Sequence, residues 1–565
     1  MKKLILTALI AIVALSIVLV GCGGTTEPTT SAPATQTVTQ TATQTATATE
    51  TATQTATQTA TTTATTTATT TETAPTPYGT INVALADFSY EQWDPIYYTA
   101  APAGQAIYDT LVTHDENGNY IGGIAETWEL SDDGITWTFH IRHDVLFHDG
   151  TPLTAKDVKF SVDHFAREDS TNPWSPYLTR NYVETSTPDD YTFVYVSEHA
   201  EPTLIVPFDT TWILPADYFE TVGAEYFSQH PIGTGPWKLV AHEQEISITF
   251  EAFTNHWRNV APFQYLKLYQ VPEEATRLAM YNRGEIDICT GITTDRLVEM
   301  RDAGAKLANV GLPLFWSIVW PGTWIGDAPT TSIKVRQAMS YALNRQEICD
   351  TYYQGTAVPG GRWFIAPGGF GWDNSWTADP YDPELAKQLL AEAGYPDAFS
   401  TPVINFYINQ ATQADFAQVL LGYWLDVGLD VEIVPMESVS WSGVVFVRNE
   451  DPDVPQAGHG LWTWGPFSVV PNAIYHSANM YTSGGVHTTG NDPHADELYD
   501  KATTELDPDL QRQYWTDFLN YAYDMWVNTG TVLIQPLTLV SDEIGDVTRP
   551  WISWDDAYAT VQHSQ

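Results

Sequence analysis

Basic residues are scarce: the 565-residue chain has 24 Lys and Arg against 69 Asp and Glu, a formal net charge of −45. Nucleic acid and anionic lipid surfaces call for clustered positive charge, so neither is expected as a direct partner. Cysteine is scarcer still, with three in total. Beyond Cys22 only Cys289 and Cys349 remain, too few and too far apart for a disulfide framework, and both are read as buried thiols. After residue 22 no apolar run reaches the roughly 20 residues a bilayer-spanning helix needs. Catalytic signatures are missing too: there is no His-Glu-x-x-His, no Gly-x-Ser-x-Gly, and no Gly-Lys-Ser/Thr after Gly233-Thr-Gly235. Carboxylate pairs suited to glycoside hydrolysis carry no weight in so acidic a chain. Asp115, Asn117, Asn119 and Glu126 fall at calcium-loop offsets, but Tyr120 occupies the position where the sharp turn needs glycine. A hairpin through Asn117-Gly118 is expected instead. His476, His487 and His494 are spaced too widely for a metal motif, so no metal and no cofactor is expected.

What the chain does have begins at its N-terminal end. Lys2 and Lys3 precede an apolar run from Leu4 to Val20, the charge and length pattern of an export signal. The run closes on Leu19-Val20-Gly21-Cys22, which resembles the lipobox of bacterial lipoproteins. That resemblance makes residues 1–21 a signal peptide and Cys22 the lipidated mature N-terminus. An uncleaved membrane helix is the alternative, the run being only slightly short of a full span. On the lipoprotein reading the protein is extracytoplasmic, lipid-anchored to the outer face of the cytoplasmic membrane or in the periplasm. Residues 22–77 are then a tether. From Thr25 they repeat Thr, Ala and Gln with almost no large side chain to bury, and a flexible chain of that length spans roughly 40 Å.

From Tyr78 the pattern becomes globular. Ile81, Val83 and Leu85 alternate as in a half-buried strand. Thr154 and Asp157 have capping-box spacing ahead of Val158, Val162 and Phe165. Val335, Met339, Ala342 and Leu343 fall on one helical stripe. Asp382 and Pro383 read as N-cap and first-turn proline ahead of Ala386, Leu389, Leu390 and Ala393, with Gly394 as the stop. Strand patterns follow Gly284 and Gly428, so helix and strand alternate and the class is α/β. No internal repeat is present, which argues against a surface-layer or adhesion protein.

The segment Trp137-Thr-Phe-His-Ile-Arg-His-Asp-Val-Leu-Phe-His-Asp-Gly-Thr-Pro-Leu-Thr-Ala-Lys-Asp-Val-Lys-Phe160 resembles the signature of the family 5 extracellular solute-binding proteins of ABC importers. Pro231-Ile-Gly-Thr-Gly-Pro-Trp237, Asn255-His-Trp257, Arg283-Gly-Glu-Ile-Asp287, Val335-Arg-Gln-Ala-Met-Ser-Tyr-Ala342 and Ala386-Lys-Gln-Leu-Leu-Ala-Glu-Ala-Gly394 agree in order. The resemblance implies a two-lobed type II periplasmic-binding-protein fold with an extra subdomain in the first lobe. Residues 78–111, 229–310 and 530–565 would form the core of lobe I, 112–228 the extra subdomain and 311–529 lobe II, with crossings near Gly311 and Gly530. It also implies a monomer that encloses a small organic ligand, a peptide or an oligosaccharide, and hands it to ABC transporter permease subunits.

In peptide-binding members a second-lobe stretch around a Trp-Thr pair carries an aspartate for the ligand's amino terminus. Here that stretch reads Trp462-Thr-Trp-Gly-Pro-Phe-Ser-Val-Val-Pro-Asn472, without the aspartate. The arginine that dipeptide binders use for the ligand carboxylate is also missing, since Asn409-Gln-Ala-Thr-Gln413 follows the corresponding strand. A free dipeptide would thus lose two charge-assisted contacts of about 1.5–3 kcal/mol each. The 21 tryptophans instead suit stacking, and Asn409 and Asn472 suit neutral hydrogen bonding. The expected contact set is Trp93 from the first lobe with Asn409, Trp462, Thr463, Trp464 and Asn472 from the second. The rival readings are a surface-anchored secreted hydrolase and a sensory receptor built on the same binding fold.

Overall fold

The computed structural model describes residues 76–565 except 89–90, 92, 98–101, 116–118, 173–174, 310–313, 325–327, 363–371, 438–439, 442–459, 465–479, 486–490, 535–536, 546, 548–557 and 565. At 102–103, 314, 410–412 and 460–464 only the backbone is described. Cys22, Asn472 and the tether up to residue 75 lie outside the described residues. Among the described residues no helix is long and apolar enough to cross a membrane.

In chain order the strands are β1 (Thr80–Leu85), β2 (Val112–His114), β3 (Tyr120–Gly122), β4 (Ala125–Leu130), β5 (Thr136–Ile141), β6 (Tyr182–Asp189) and β7 (Thr192–Ser197). Then come β8 (Trp237–Glu243), β9 (Ser247–Ala252), β10 (Tyr265–Gln270), β11 (Ile288–Cys289) and β12 (Leu307–Asn309). The last group is β13 (Leu314–Val319), β14 (Ala357–Pro359), β15 (Ile404–Asn409), β16 (Val431–Met436), β17 (Gly460–Trp464), β18 (Asn528–Ile534) and β19 (Leu537–Val540).

β1 lies at the centre of a seven-stranded sheet of order β12-β19-β11-β1-β10-β9-β8. It runs parallel to both neighbours, Val83 pairing with Leu268 and Ile288. Ile81 and Val83 are buried as their alternation predicts, but Ala84 on the opposite face is buried as well. A second layer containing Ile286, Ile292, Leu297 and Leu539 covers that face at Ala84, while Thr80 and Asn82 on the same face stay partly exposed, so β1 is half-buried at its start and buried on both sides at its end. Cys289 in this layer and Cys349 in the other large sheet's core are free buried thiols, and burial pushes each up to about 11.

Between β1 and β8 the chain builds a separate antiparallel sheet of order β4-β5-β7-β6. β2 and β3 pair as the expected hairpin, and Asp115 accepts the Asn119 backbone N–H at 2.9 Å. The capping box forms: Asp157 accepts from both the backbone N and the hydroxyl of Thr154 at 2.9 Å, opening the helix Ala155–Phe165. Residues 145–147 make only an isolated bridge, Leu146 to Pro152, around the Asp149-Gly150 turn, where Gly150 takes φ +89. A tight reversal leaves no partner strand to extend that pairing.

This subdomain is fastened to the first lobe by His148. Its Nε2 donates to the Gly235 carbonyl at 2.9 Å, while Nδ1 accepts from the Gly233 N–H at 3.3 Å. Both glycines are required by close approach, since a Cβ on Gly233 would stand 2.2 Å from the Ile107 carbonyl oxygen. Burial pushes the imidazole down to about 4. Because this folded value lies below the ordinary value near 6.5, His148 stabilises the fold fully above about pH 6.5 and progressively less as pH falls toward 4. The amount lost is about 3 kcal/mol. Denaturant midpoints measured across that window should fall more steeply for the wild type than for His148→Gln.

The remaining strands form a six-stranded sheet of order β14-β18-β13-β17-β15-β16. The chain enters it between Asn309 and Leu314 and leaves it between Ile534 and Leu537; Gly530, the expected return point, lies within β18. The helices Ile333–Tyr341, Pro383–Glu392 and Gln410–Asp426 contribute to one apolar cluster of this sheet, and Pro493–Thr504 with Pro508–Met525 to another. Asp382 caps its helix as predicted, accepting from Leu385 N at 2.9 Å.

Three arginines sit in this lobe's interior. Arg336 donates to the Met525 and Trp526 carbonyls at the end of helix Pro508–Met525, where backbone dipoles favour a cation. Arg345 donates to Gly530 O and Ser340 O, and Arg362 to both oxygens of Asp379. Desolvation lowers Arg336 and Arg345 to about 10.

Candidate binding site between the sheets

In parallel sheets ligands settle at the carboxyl ends of the strands, where loops diverge and backbone groups are left to be used. β15 runs parallel to β16 and to β17, with Tyr407 level with Trp462. Continuing that register by two residues sets Asn409 level with Trp464, each closing its strand. β13 runs antiparallel to β17, and Ser317 pairs with Trp464. The end of β17 is therefore level with the middle of β13 and points toward its beginning, where the chain has just crossed from the seven-stranded sheet. β18 ends there too, Leu314 pairing with Ile534. Asn409 and Trp464 thus end their strands toward the side of the second sheet that holds both chain crossings.

On that same side, beside β14, Gln354 Nε2 donates to Asp295 Oδ1 in helix Thr294–Asp302 of the first lobe at 2.6 Å. Asn409 is half-buried, and its backbone N–H donates to the Gln413 side chain at 2.8 Å, which tightens the entry to helix Gln410–Asp426. Trp462 and Thr463 precede Trp464 in β17 and pair with Val319 and Ile318. Asn472, which follows β17 in the chain, lies outside the described residues, as does the whole of 465–479.

Trp93 is not with this group. Its ring is 1 % exposed and belongs to the first lobe's main core with Ile81, Tyr108 and Trp237. His242 meets it edge-on at 5.6 Å, and its carbonyl accepts from the Tyr108 hydroxyl at 2.8 Å. The following Asp94 is equally buried, accepting from His164 Nε2 at 2.8 Å. The sequence offered this tryptophan as the first lobe's ligand contact, but its segment folds inward, because an indole removed from water contributes more there than on the surface. Trp93 is therefore left out of the contacts proposed below.

The Asn255-His-Trp257 motif also has a structural place. Asp109 receives the Trp257 indole N–H at 3.0 Å and faces His256 at 3.4 Å and Arg258 at 3.6 Å. Burial alone would raise the Asp109 carboxyl, but His256 and Arg258 outweigh it and hold the group well below the usual carboxylate range. Among the described residues no group of three or more His, Cys, Asp or Glu is arranged to hold a metal ion.

Comparison with known proteins agrees with this architecture. Residues 119–487 match the family model of the bacterial extracellular solute-binding proteins, family 5. The chain is 28% identical over 372 residues to the heme-binding protein A of Haemophilus influenzae, covering 59% of this chain and 65% of that one. It is 28% identical over 397 residues to the dipeptide-binding protein of Escherichia coli, covering 63% and 71%. The matched region thus spans about two thirds of the length of these relatives. Among solved structures, NikA from Brucella suis in complex with Fe(III)-EDTA superposes with a TM-score of 0.75 at 20% identity, covering 86% of this chain and 100% of that one. The α/β architecture is that of the two-lobed periplasmic binding proteins, and the chain belongs to the family 5 bacterial extracellular solute-binding proteins.

Proposed function

We propose that this protein is the extracytoplasmic substrate-binding component of an ABC importer, and not an enzyme. It captures an oligopeptide or a neutral oligosaccharide between its lobes and delivers it to membrane permease subunits. Family membership carries the reading, supported by relatives whose names record binding of dipeptide and of heme. The lipobox at Cys22 would keep the protein beside the importer. A ligand that touches both lobes stabilises only the closed arrangement, so closure itself reports occupancy.

The ligand class follows from what stands at these strand ends. Asn409 and Trp464 end adjacent strands on the side of the crossings, and the stretches 409–413 and 462–472 to which they belong lack the arginine and aspartate expected of a dipeptide binder. A neutral hydrogen-bonding and stacking pair suits sugar rings, or a peptide held by its backbone without its charged ends.

Titrating the protein, produced without its lipid anchor, against tri- to octapeptides and a matched oligosaccharide panel tests this through tryptophan emission. A saturable sugar response weakened about 30-fold by Trp464→Ala, the loss of ~2 kcal/mol expected for an aromatic anchor, is the expected result. Tight peptide binding with no sugar response would overturn the oligosaccharide reading. Retained affinity in Trp464→Ala would remove this residue from the site.

A further inference from the structure

The chain passes from one large sheet to the other after Asn309 and returns after Ile534. A third connection is non-covalent and comes from the insertion between β1 and β8. That insertion is bound to the first lobe at several places: His148 bonds Gly235 O at 2.9 Å, His164 bonds Asp94 at 2.8 Å, and the Thr171 and Asn172 N–H groups donate to Ile96 O at 2.9 and 3.0 Å. It therefore moves with that lobe. Between β4 and β5 the insertion turns at Gly134, whose N–H donates to Ser131 O at 2.8 Å and whose carbonyl accepts from Glu201 N at 2.9 Å. The Ser131 hydroxyl and the Ile135 N–H both bond Asp133 Oδ1, at 2.6 and 3.3 Å, which fixes the turn. Glu201 is itself held, its carboxylate taking Arg180 Nε and Nη2 at 3.1 and 2.8 Å. With the neighbouring Ala200, the Gly134 turn makes a rigid notch.

Leu506 of the second lobe sits in this notch. It lies between the helices Pro493–Thr504 and Pro508–Met525, which contribute to an apolar cluster of the six-stranded sheet. A Cβ on Gly134 would stand 2.6 Å from Leu506 Cδ2, 3.2 Å from its Cδ1 and 2.9 Å from Ala200 Cβ. Gly134 combines this approach with a φ of +74, so only glycine fits. The leucine is presented as firmly as the notch that receives it. Glu505 Oε1 accepts the N–H groups of Leu506 and Asp507 at 2.9 and 3.0 Å, and Asp507 Oδ1 caps the next helix, accepting from Asp509 N and Leu510 N at 3.0 Å. Beside this contact, helix Pro493–Thr504 packs against the insertion's short helix Pro202–Leu204.

We infer that the insertion braces the second lobe: Leu506, seated on Gly134 and Ala200, holds the two lobes in the arrangement that encloses the ligand. Both turns carry carboxylates, Asp132 and Asp133 on one side and Glu505 and Asp507 on the other, so charge opposes the contact and apolar packing has to supply it. Because knob and notch are each fixed by their own hydrogen bonds, little conformational entropy is lost when they meet. If the lobes part about the two covalent crossings, Leu506 leaves the notch and both faces are hydrated. The strength of the brace therefore sets how much of the protein is closed before ligand arrives, and with it the apparent affinity. The brace rests on the two-lobed hinge reading but not on the identity of the ligand.

Hydrogen exchange of the full chain without ligand, read by mass spectrometry, tests it. Leu506 keeps 39 % exposure, so a polar side chain there is compatible with the packing of its own helices. Leu506→Asp, which adds a carboxylate at the notch, should speed exchange about fivefold to tenfold at 131–136 and 198–204 in the insertion. Reciprocally, Ala200→Glu should speed exchange by a similar factor at 498–507 in the second lobe. Unaltered protection of β1 and β15 in both variants would show that each remains folded. The brace is overturned if each substitution alters exchange only within its own lobe, or in neither. Because no ligand is present, this failure is separate from a failure of the titration to find one.

Discussion

Asp379→Asn is expected to destabilise the second lobe by about 3–5 kcal/mol. The carboxylate is 6 % exposed and is shared by two buried cations. Arg362 Nε lies 3.0 and 3.2 Å from its two oxygens, and Arg345 Nη2 lies 3.8 Å from Oδ2. The Ser340 hydroxyl donates to it at 2.6 Å. Asparagine keeps the shape but not the charge, leaving Arg345 and Arg362 with carbonyls, the Ser340 hydroxyl and aromatic rings but no counter-charge. Those rings are close: the Arg362 guanidinium carbon is 3.4 Å from the Trp526 ring centroid and 3.9 Å from that of Tyr523. They soften the loss without cancelling it. Denaturant midpoints measure the effect. Arg362→Met in the Asp379→Asn background should recover part of it, because one uncompensated charge has been removed. An Asp379→Asn midpoint within about 0.5 kcal/mol of wild type would show that the carbonyls around the arginines suffice.

The second large effect is steric, and its contrast is the same substitution elsewhere. A Cβ on Gly530 would stand 1.7 Å from the Gly361 carbonyl oxygen and 2.5 Å from its carbon. Both are backbone atoms, so nothing can rotate aside, and β18 would have to part from the segment beside it. Gly530→Ala should therefore cost at least about 3 kcal/mol, the upper range for overpacking, and disturb Arg345, whose Nε bonds the Gly530 carbonyl at 2.8 Å. Gly422 is exposed within helix Gln410–Asp426 and has nothing within 4 Å of a built Cβ. There alanine should stabilise by about 0.5–1 kcal/mol, since helical backbone entropy is all that changes. Thermal unfolding of the two variants should move in opposite directions, and movement in the same direction would contradict the packing at Gly530.

How much of this was legible beforehand depended on distance along the chain. The helix starts at Thr154 and Asp382 were readable because a cap and the N–H groups it satisfies lie within one turn. The pairing of β2 with β3 was readable for the same reason, although Asn117 and Gly118 themselves lie outside the described residues. β1 was read as half-buried because alternation reports one face only, and the layer on Ala84's side comes from residues 286–297 and 539. Trp93 illustrates the same limit: its segment reads as a candidate ligand contact, whereas its burial depends on Tyr108, Trp237 and His242 closing over it. Of the expected contact residues, Asn409 and Trp464 are brought level by strand pairing, which no local pattern encodes.

The sequence by itself determined the acidic surface, the α/β class, the capped helices, the family and the absence of charged anchors at the expected ligand positions. Each of these is written in composition or in residues a few positions apart. Only the tertiary structure decided that Asp379 would serve two arginines, that Gly530 would touch Gly361, and that Arg180 would be held by Glu201. These depend on segments distant in sequence meeting after chain entropy has been overcome, and a one-dimensional pattern records no trace of which ones do.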